Sequence, residues 1–247
     1  LLIIAGFLML LGSFSAYSGS LAWFGLANWL PFFWAFWGFQ PYLQTSLARK
    51  RSAICLLSGS IPVLLTGLGQ IFLGWSGPWK LFNGLIVWFV AEGGEPFGRL
   101  SGLFDYANIA GAWLALIWPI SLAALLEKNL SFKKRIIVFI IAITIFMSLI
   151  LTDSRNAWGS LVLSIPFVLG PLSWPWLLPL LLLTLLPIFF AVLPWFGVHL
   201  QQWARNLVPE TLWARLSDVR YMNQRSLAST RMNQWLVATS LIFERPW

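Results

Sequence analysis

Charge is what this chain has least of. Of its 247 residues 10% are charged, against about a quarter in an ordinary soluble domain. The first 48 residues contain no Asp, Glu, Lys or Arg. A water-soluble globule of this size keeps a largely polar exterior, so this composition excludes one. One cysteine, Cys55, excludes a disulfide framework and a cysteine metal site. One histidine, His199, excludes a multi-histidine metal centre. The eight acidic residues are scattered and suggest no carboxylate cluster of the kind that holds magnesium, so neither metal nor cofactor is expected. There is no G-x-G-x-x-G, no P-loop and no H-E-x-x-H. The charge-free start also lacks the basic region of a signal peptide.

Apolar and aromatic side chains fill the space instead. Hydrophobic residues make up 59% of the chain, aromatic residues 17%, and the mean hydropathy is +0.78. The expectation is an all-α fold: a polytopic integral membrane helical bundle of about seven transmembrane helices, with an outer-face loop carrying an interfacial helix. A crossing helix needs about 20 apolar residues, and the candidates are 1–17, 21–39, 54–73, 108–126, 136–152, 158–170 and 177–193. Segment 82–90 is apolar but too short to cross and reads as re-entrant or interfacial. Two divisions are expected: 1–95, the N-terminal helices and an outer loop, and 96–247, whose 194–247 form a periplasmic loop. The chain begins at Leu1 and stops at Trp247 after a proline, and reads as a piece of a longer protein.

A formal charge of +8 signals topology in such a chain, not nucleic-acid binding, because no soluble basic domain exists to carry it. Arg49, Lys50 and Arg51 follow the second segment, and Lys128, Lys133, Lys134 and Arg135 follow the fourth. Short basic loops stay cytoplasmic, and these two lie an even number of crossings apart. The N-terminus is then cytoplasmic, and residues 74–107, the link at 153–158 and the tail from Trp195 face outward. Trp75, Trp79, Trp158, Trp174, Trp176 and Trp195 near segment ends suit an interfacial belt.

Apart from Lys80, the outward cations are all arginine: Arg99, Arg155, Arg205, Arg215, Arg220, Arg225, Arg231 and Arg245. A guanidinium binds phosphate through a planar fork and keeps its charge, so this surface is read as built to hold phosphate or pyrophosphate. Exposed arginines also bind lipid headgroups or pair with acids such as Asp153, Glu210, Asp218 and Glu244. Arg99 and Arg155, which flank apolar segments on one side, favour the anion-binding reading. His199 reads as an interfacial histidine.

Three segments carry more than composition. The first is Arg99-Leu-Ser-Gly-Leu-Phe-Asp-Tyr-Ala-Asn108, in which Ser101 and Gly102 suit a turn and Asn108 an N-cap. The second is Thr152-Asp-Ser-Arg-Asn-Ala157, whose Ser154 and Arg155 occupy a link so short that the arginine must project over the helix ends. The third is Arg231-Met-Asn-Gln-Trp235, opening an apolar stretch with the spacing of a surface-lying helix. Together they resemble the O-antigen ligase and polymerase superfamily of bacterial membrane glycosyltransferases, with its R-x-S-G-x-F-x-x-P-N, S-R-x-A and R-x-x-x-W segments. Ala107 stands where that pattern has proline. The third segment ends at Pro246 without the glycine-rich turn and catalytic histidine of the family, which would lie beyond Trp247.

The resemblance implies an inverting glycosyltransferase in the bacterial inner membrane. It would move a glycan from a polyprenyl-pyrophosphate carrier to a glycolipid or other hydroxyl acceptor on the outer face, among membrane lipids and without nucleic acid. Arg99, Arg155 and Arg231 would then bind the pyrophosphate, supported by Ser101, Gly102, Asn108, Ser154 and Trp235. The catalytic residue is left unassigned, and this stretch alone would be inactive. Two alternatives stay open. Some relatives are described as inorganic-carbon transporters, and an arginine site also suits bicarbonate or another small anion. A structural membrane protein whose arginines touch only anionic headgroups is the other.

Overall fold

The computed structural model describes residues 2–16, 18–193, 197–217 and 231–244. Helices account for nearly all of it: α1 (Leu2–Ser15), α2 (Ser20–Tyr42), α3 (Ser46–Phe72), α4 (Ala107–Leu125), α5 (Phe132–Leu151), α6 (Arg155–Leu169), α7 (Trp174–Val192), α8 (Val198–Leu207), α9 (Glu210–Leu216) and α10 (Arg231–Glu244). The chain divides into two compact units, one of Leu1–Ser52 with Tyr221–Trp247 and one of Ala53–Arg220.

All seven apolar segments are helical, but length and composition carry four crossings rather than seven: α3, α4, α5 and α7 with the 3-10 turn before it. At 1.5 Å per residue, α1 and α6 are only about 21 and 22 Å long, short of the roughly 30 Å hydrocarbon core. The 23-residue α2 is long enough, yet Pro31, Pro41 and its tryptophans, glycines and amides dilute its apolarity. Large apolar side chains stay exposed along the long helices, among them Ile137 and Ile140 on α5 and Leu182 and Leu183 on α7. Only lipid makes such a surface tolerable, so this is a membrane-embedded helical bundle.

In the first unit α1 packs on α2, with Phe14 edge-on to Trp23 at 4.8 Å. Arg49, in the first turns of α3, donates to the carbonyls of Leu43 (3.0 Å) and Gln44 (2.7 Å), giving the otherwise orphaned C-terminus of α2 a cation. α10 forms where the third motif begins. Its exposed Trp235, Leu236, Val237, Leu241, Ile242 and Phe243, taken at 100° per residue, fall all round the axis. The one-sided face of a surface-lying helix belongs instead to α8, which exposes His199, Trp203 and Leu207 at every fourth position and buries Ala204.

The second unit is built around α4. Leu114, Ile117 and Trp118 of α4 meet Leu57 and Leu64 of α3, Ile145 and Leu149 of α5, and Ala157 and Leu161 of α6 in one core. Small residues bring α4 and α6 together: a Cβ on Gly111 would stand 3.1 Å from that of Ala157. Farther along the same pair, Trp118 Nε1 donates to the Leu161 carbonyl at 3.0 Å, so the two helices run in the same sense and α5, which connects them in the chain, runs antiparallel to both. α7 returns to the starting end, where Ala191 packs with Ala204 and Val208 of the α8–α9 segment.

Segment 82–90 supplies the turn and second strand of a β-hairpin. Strands β1 (Trp79–Leu81) and β2 (Ile86–Trp88) pair antiparallel, Trp79 opposite Trp88, around a turn through Phe82, Asn83 and Gly84. Asn83 and Gly84 have φ of 54° and 91°, the left-handed conformations that Asn-Gly supplies to a hairpin at little cost.

Candidate functional site

Both motif segments of the second unit fold onto one end of the bundle. They meet at the turn from α5 to α6, where Thr152 ends one helix, Asp153 has φ 49°, and Ser154 is the extended residue before Arg155 opens the next. The last carbonyls of a helix have no partner within it and carry the negative end of its dipole. Here they are taken in succession. Leu100 N donates to Leu151 O at 2.9 Å and Arg99 Nε to Thr152 O at 2.8 Å. Arg215 of α9 donates to Asp153 O from Nε (3.0 Å) and Nη2 (2.8 Å), and its Nε also lies 3.0 Å from the Asp153 carboxylate. Arg99 and Arg215 are 6% and 5% exposed, so these are charge-assisted bonds shielded from water, where they are strongest.

Arg99 is thus committed to the fold. Its Nη2 donates to Asn108 Oδ1 at 2.7 Å, and its guanidinium lies 5.9 Å from the centre of the Tyr106 ring. Asn108 is not the N-cap of α4: Tyr106 holds that position and makes no side-chain cap. Asn108 lies one residue inside the helix, its side chain turned back to the arginine. Ser101 and Gly102 form a turn closed by Phe104 N on Ser101 O at 3.0 Å. Gly102 has φ 59°, and a Cβ there would come 3.2 Å from Val63 O.

That turn hangs on a residue the sequence reading passed over. Gln70, 1% exposed near the end of α3, accepts at Oε1 from Ser101 N (3.0 Å) and Gly102 N (2.8 Å). Its Nε2 donates to Ala91 O (2.7 Å) and Ser101 Oγ (3.1 Å). The signal was available, since a lone amide in an otherwise apolar span is costly unless it has such work. Arg215 was read only as one of several tail arginines. Its place on a short helix with Leu212 and Trp213 on the packed side marks it as the inward cation.

Arg155 is half-buried, and its Nη1 donates to Leu216 O at 3.3 Å. The α8–α9 segment is held by a third arginine as well: Arg205 Nε donates to Ala191 O at 3.1 Å, with its guanidinium 4.3 Å from the Trp213 ring centre. Arg99, Ser101, Gly102, Asn108, Ser154 and Arg155 are therefore brought together. Arg231 and Trp235 belong to the first unit. The Arg231 side chain lies outside the described residues, as do Trp195, Asp218, Arg220, Arg225, Arg245 and Pro246.

Among the described residues, this end of the second unit carries charges of both signs. Lys80, Arg99, Arg155, Arg205 and Arg215 are matched by Glu92, Glu95, Asp105, Asp153 and Glu210. Glu92, Glu95 and Asp105 line a cleft of about 420 Å³ with Ser76, Phe89 and Phe104, and their carboxylates repel an anion approaching there. Among the described residues no group of three His, Cys, Asp or Glu is placed to hold a metal ion. Comparison with protein-family models, with curated proteins and with solved structures found no match.

Proposed function

We propose that this chain belongs to a membrane glycosyltransferase that moves a glycan from a polyprenyl-pyrophosphate carrier to an acceptor hydroxyl on the outer face of a bacterial inner membrane. The observation that carries this reading is the joining of the two motif segments. Arg99 reaches 53 positions along the chain to the carbonyl of Thr152 and so places Arg155 on a rigid turn at one end of the bundle. In the transfer the acceptor oxygen bonds to the anomeric carbon, the bond from that carbon to the pyrophosphate oxygen breaks, and the acceptor's proton passes to the departing pyrophosphate or to water. Charge develops on the departing lipid pyrophosphate. A fixed guanidinium stabilises it without reorganising, as preorganised donors do elsewhere. Arg155 takes that role and Arg99 holds the turn that aims Arg155, while Arg231, on the first unit, keeps its assignment to pyrophosphate from its motif alone.

Orientation follows from charge. Lys128, Lys133, Lys134 and Arg135 are exposed at the opposite end of the second unit, and the preference of short basic loops for the cytoplasm turns the Arg155 end outward. This topology needs α6 to make a short crossing, extended by the 3-10 turn at Pro171–Ser173.

The test is genetic. Deleting the gene in its host should remove a surface polymer or cap while its lipid-linked precursor persists, as read by gel and mass spectrometry. Wild type should restore the product. Arg155→Lys, which keeps the charge and loses the fork, should not. Normal glycans in that variant would overturn the role of Arg155, and unchanged glycans with slower growth at low inorganic carbon would move the assignment to anion transport.

A further inference from the structure

We propose that Arg215 is the positioning residue of the site: from α9 it fixes the α5–α6 turn and through it the direction in which Arg155 presents its guanidinium. This rests on the anion-binding reading of Arg155. Asp153 adopts a left-handed conformation, φ 49°, which aspartate enters more readily than most residues but which still costs free energy relative to the right-handed region. Arg215 offsets that cost, with two bonds on the Asp153 carbonyl and a third contact on its carboxylate. Two residues later Arg155 starts α6, so rotating the Asp153 backbone would swing the first turn of α6 and the arginine on it.

The two arginines are used unequally. Arg155 returns a bond to the carbonyl of Leu216, the neighbour of Arg215, but at 3.3 Å, against 2.8 and 3.0 Å for the bonds of Arg215. A phosphate oxygen is a stronger acceptor than a main-chain carbonyl. Arg155 can therefore trade this bond for one to an anion while Arg215 keeps the turn in place. The carboxylate of Asp153 is engaged by Arg215.

The experiment uses the full chain in lipid nanodiscs and inorganic pyrophosphate as the probe, with binding measured by calorimetry and folding by thermal melting. Wild type binds, Arg155→Gln abolishes binding, and Arg215→Gln weakens it by about tenfold or more, the scale of one charge-assisted bond. Arg205→Gln, which also removes an arginine-to-carbonyl bond from the α8–α9 segment, lowers the melting temperature comparably and binds as wild type. Should Arg215→Gln fail to accumulate, Arg215→Lys makes the same comparison with one donor retained. Equal weakening by Arg205→Gln and Arg215→Gln would reduce Arg215 to general support, and wild-type affinity in Arg215→Gln would overturn the inference while leaving Arg155 in place. Absence of binding by wild type would overturn the anion reading itself.

Discussion

Arg99 Nε donates to the carbonyl of Thr152 at 2.8 Å while its Nη2 donates to Asn108 at 2.7 Å, so one buried guanidinium ties the start of α4 to the end of α5. Such bonds to a charged group contribute about 1.5–3 kcal/mol each, and an orphaned buried carbonyl is costly in its own right. Arg99→Ala should therefore lower the melting temperature in detergent markedly. Arg99→Lys, which cannot reach both acceptors, should fall between Ala and wild type, and Asn108→Leu should cost less than either. An Arg99→Ala protein melting with wild type would show that the clamp carries no weight.

Glycine substitutions test the loop that supplies Arg99. A Cβ on Gly94 would collide with the Arg99 carbonyl, and Gly94 has φ 93°, so Gly94→Ala meets both a clash and a disfavoured backbone. Gly59 lies within α3 with nothing within 4 Å of its Cβ position, and alanine there should be neutral or stabilising by about 0.5–1 kcal/mol. Thermal melts of the pair check this directly, and equal loss in both would deny the close approach at Gly94.

Much of this was legible beforehand because it is a matter of local pattern. Apolar runs gave the seven helical segments, and the spacing of Arg99 and Arg155 from those runs put both at helix ends. The number of crossings was not legible in the same way: a 15-residue α6 and a tryptophan-rich α2 are helical without being long or apolar enough by themselves. The Asn83-Gly84 hairpin signal was present and was outweighed by the apolar character around it. The tie from Arg99 to the end of α5 could not be read, because the acceptor there is a main-chain carbonyl 53 residues away and carbonyls leave no mark on sequence.

Gln70 makes a more severe prediction. Its amide holds Ser101, Gly102 and Ala91 at once. Gln70→Leu keeps the volume and orphans two N–H groups and one carbonyl, at about 1–3 kcal/mol apiece. Gln70→Glu retains the two acceptances and loses the donor to Ala91, so it should be the milder variant. If the leucine variant melts above the glutamate variant, the network is not what secures the 91–102 loop.

Topology can be decided by side-specific labelling, and the charge distribution states the expected answer. The loop from α4 to α5 has four cations against Glu127, each worth about 1 kcal/mol beside an anionic leaflet, whereas at the opposite end of the unit five cations are matched by five acids among the described residues. Cys55 is exposed and free, so it is first replaced by serine. A single cysteine is then placed at Lys128 or at Glu210, both in exposed positions. An impermeant maleimide on intact spheroplasts should label Glu210→Cys at once and Lys128→Cys only after permeabilisation. Labelling of both from outside would mean that α4 to α7 do not cross in alternation. The reverse pattern would put Arg155 on the cytoplasmic side, where an outer-face glycan donor never arrives, and the transferase reading would end there whatever the glycan phenotype suggested.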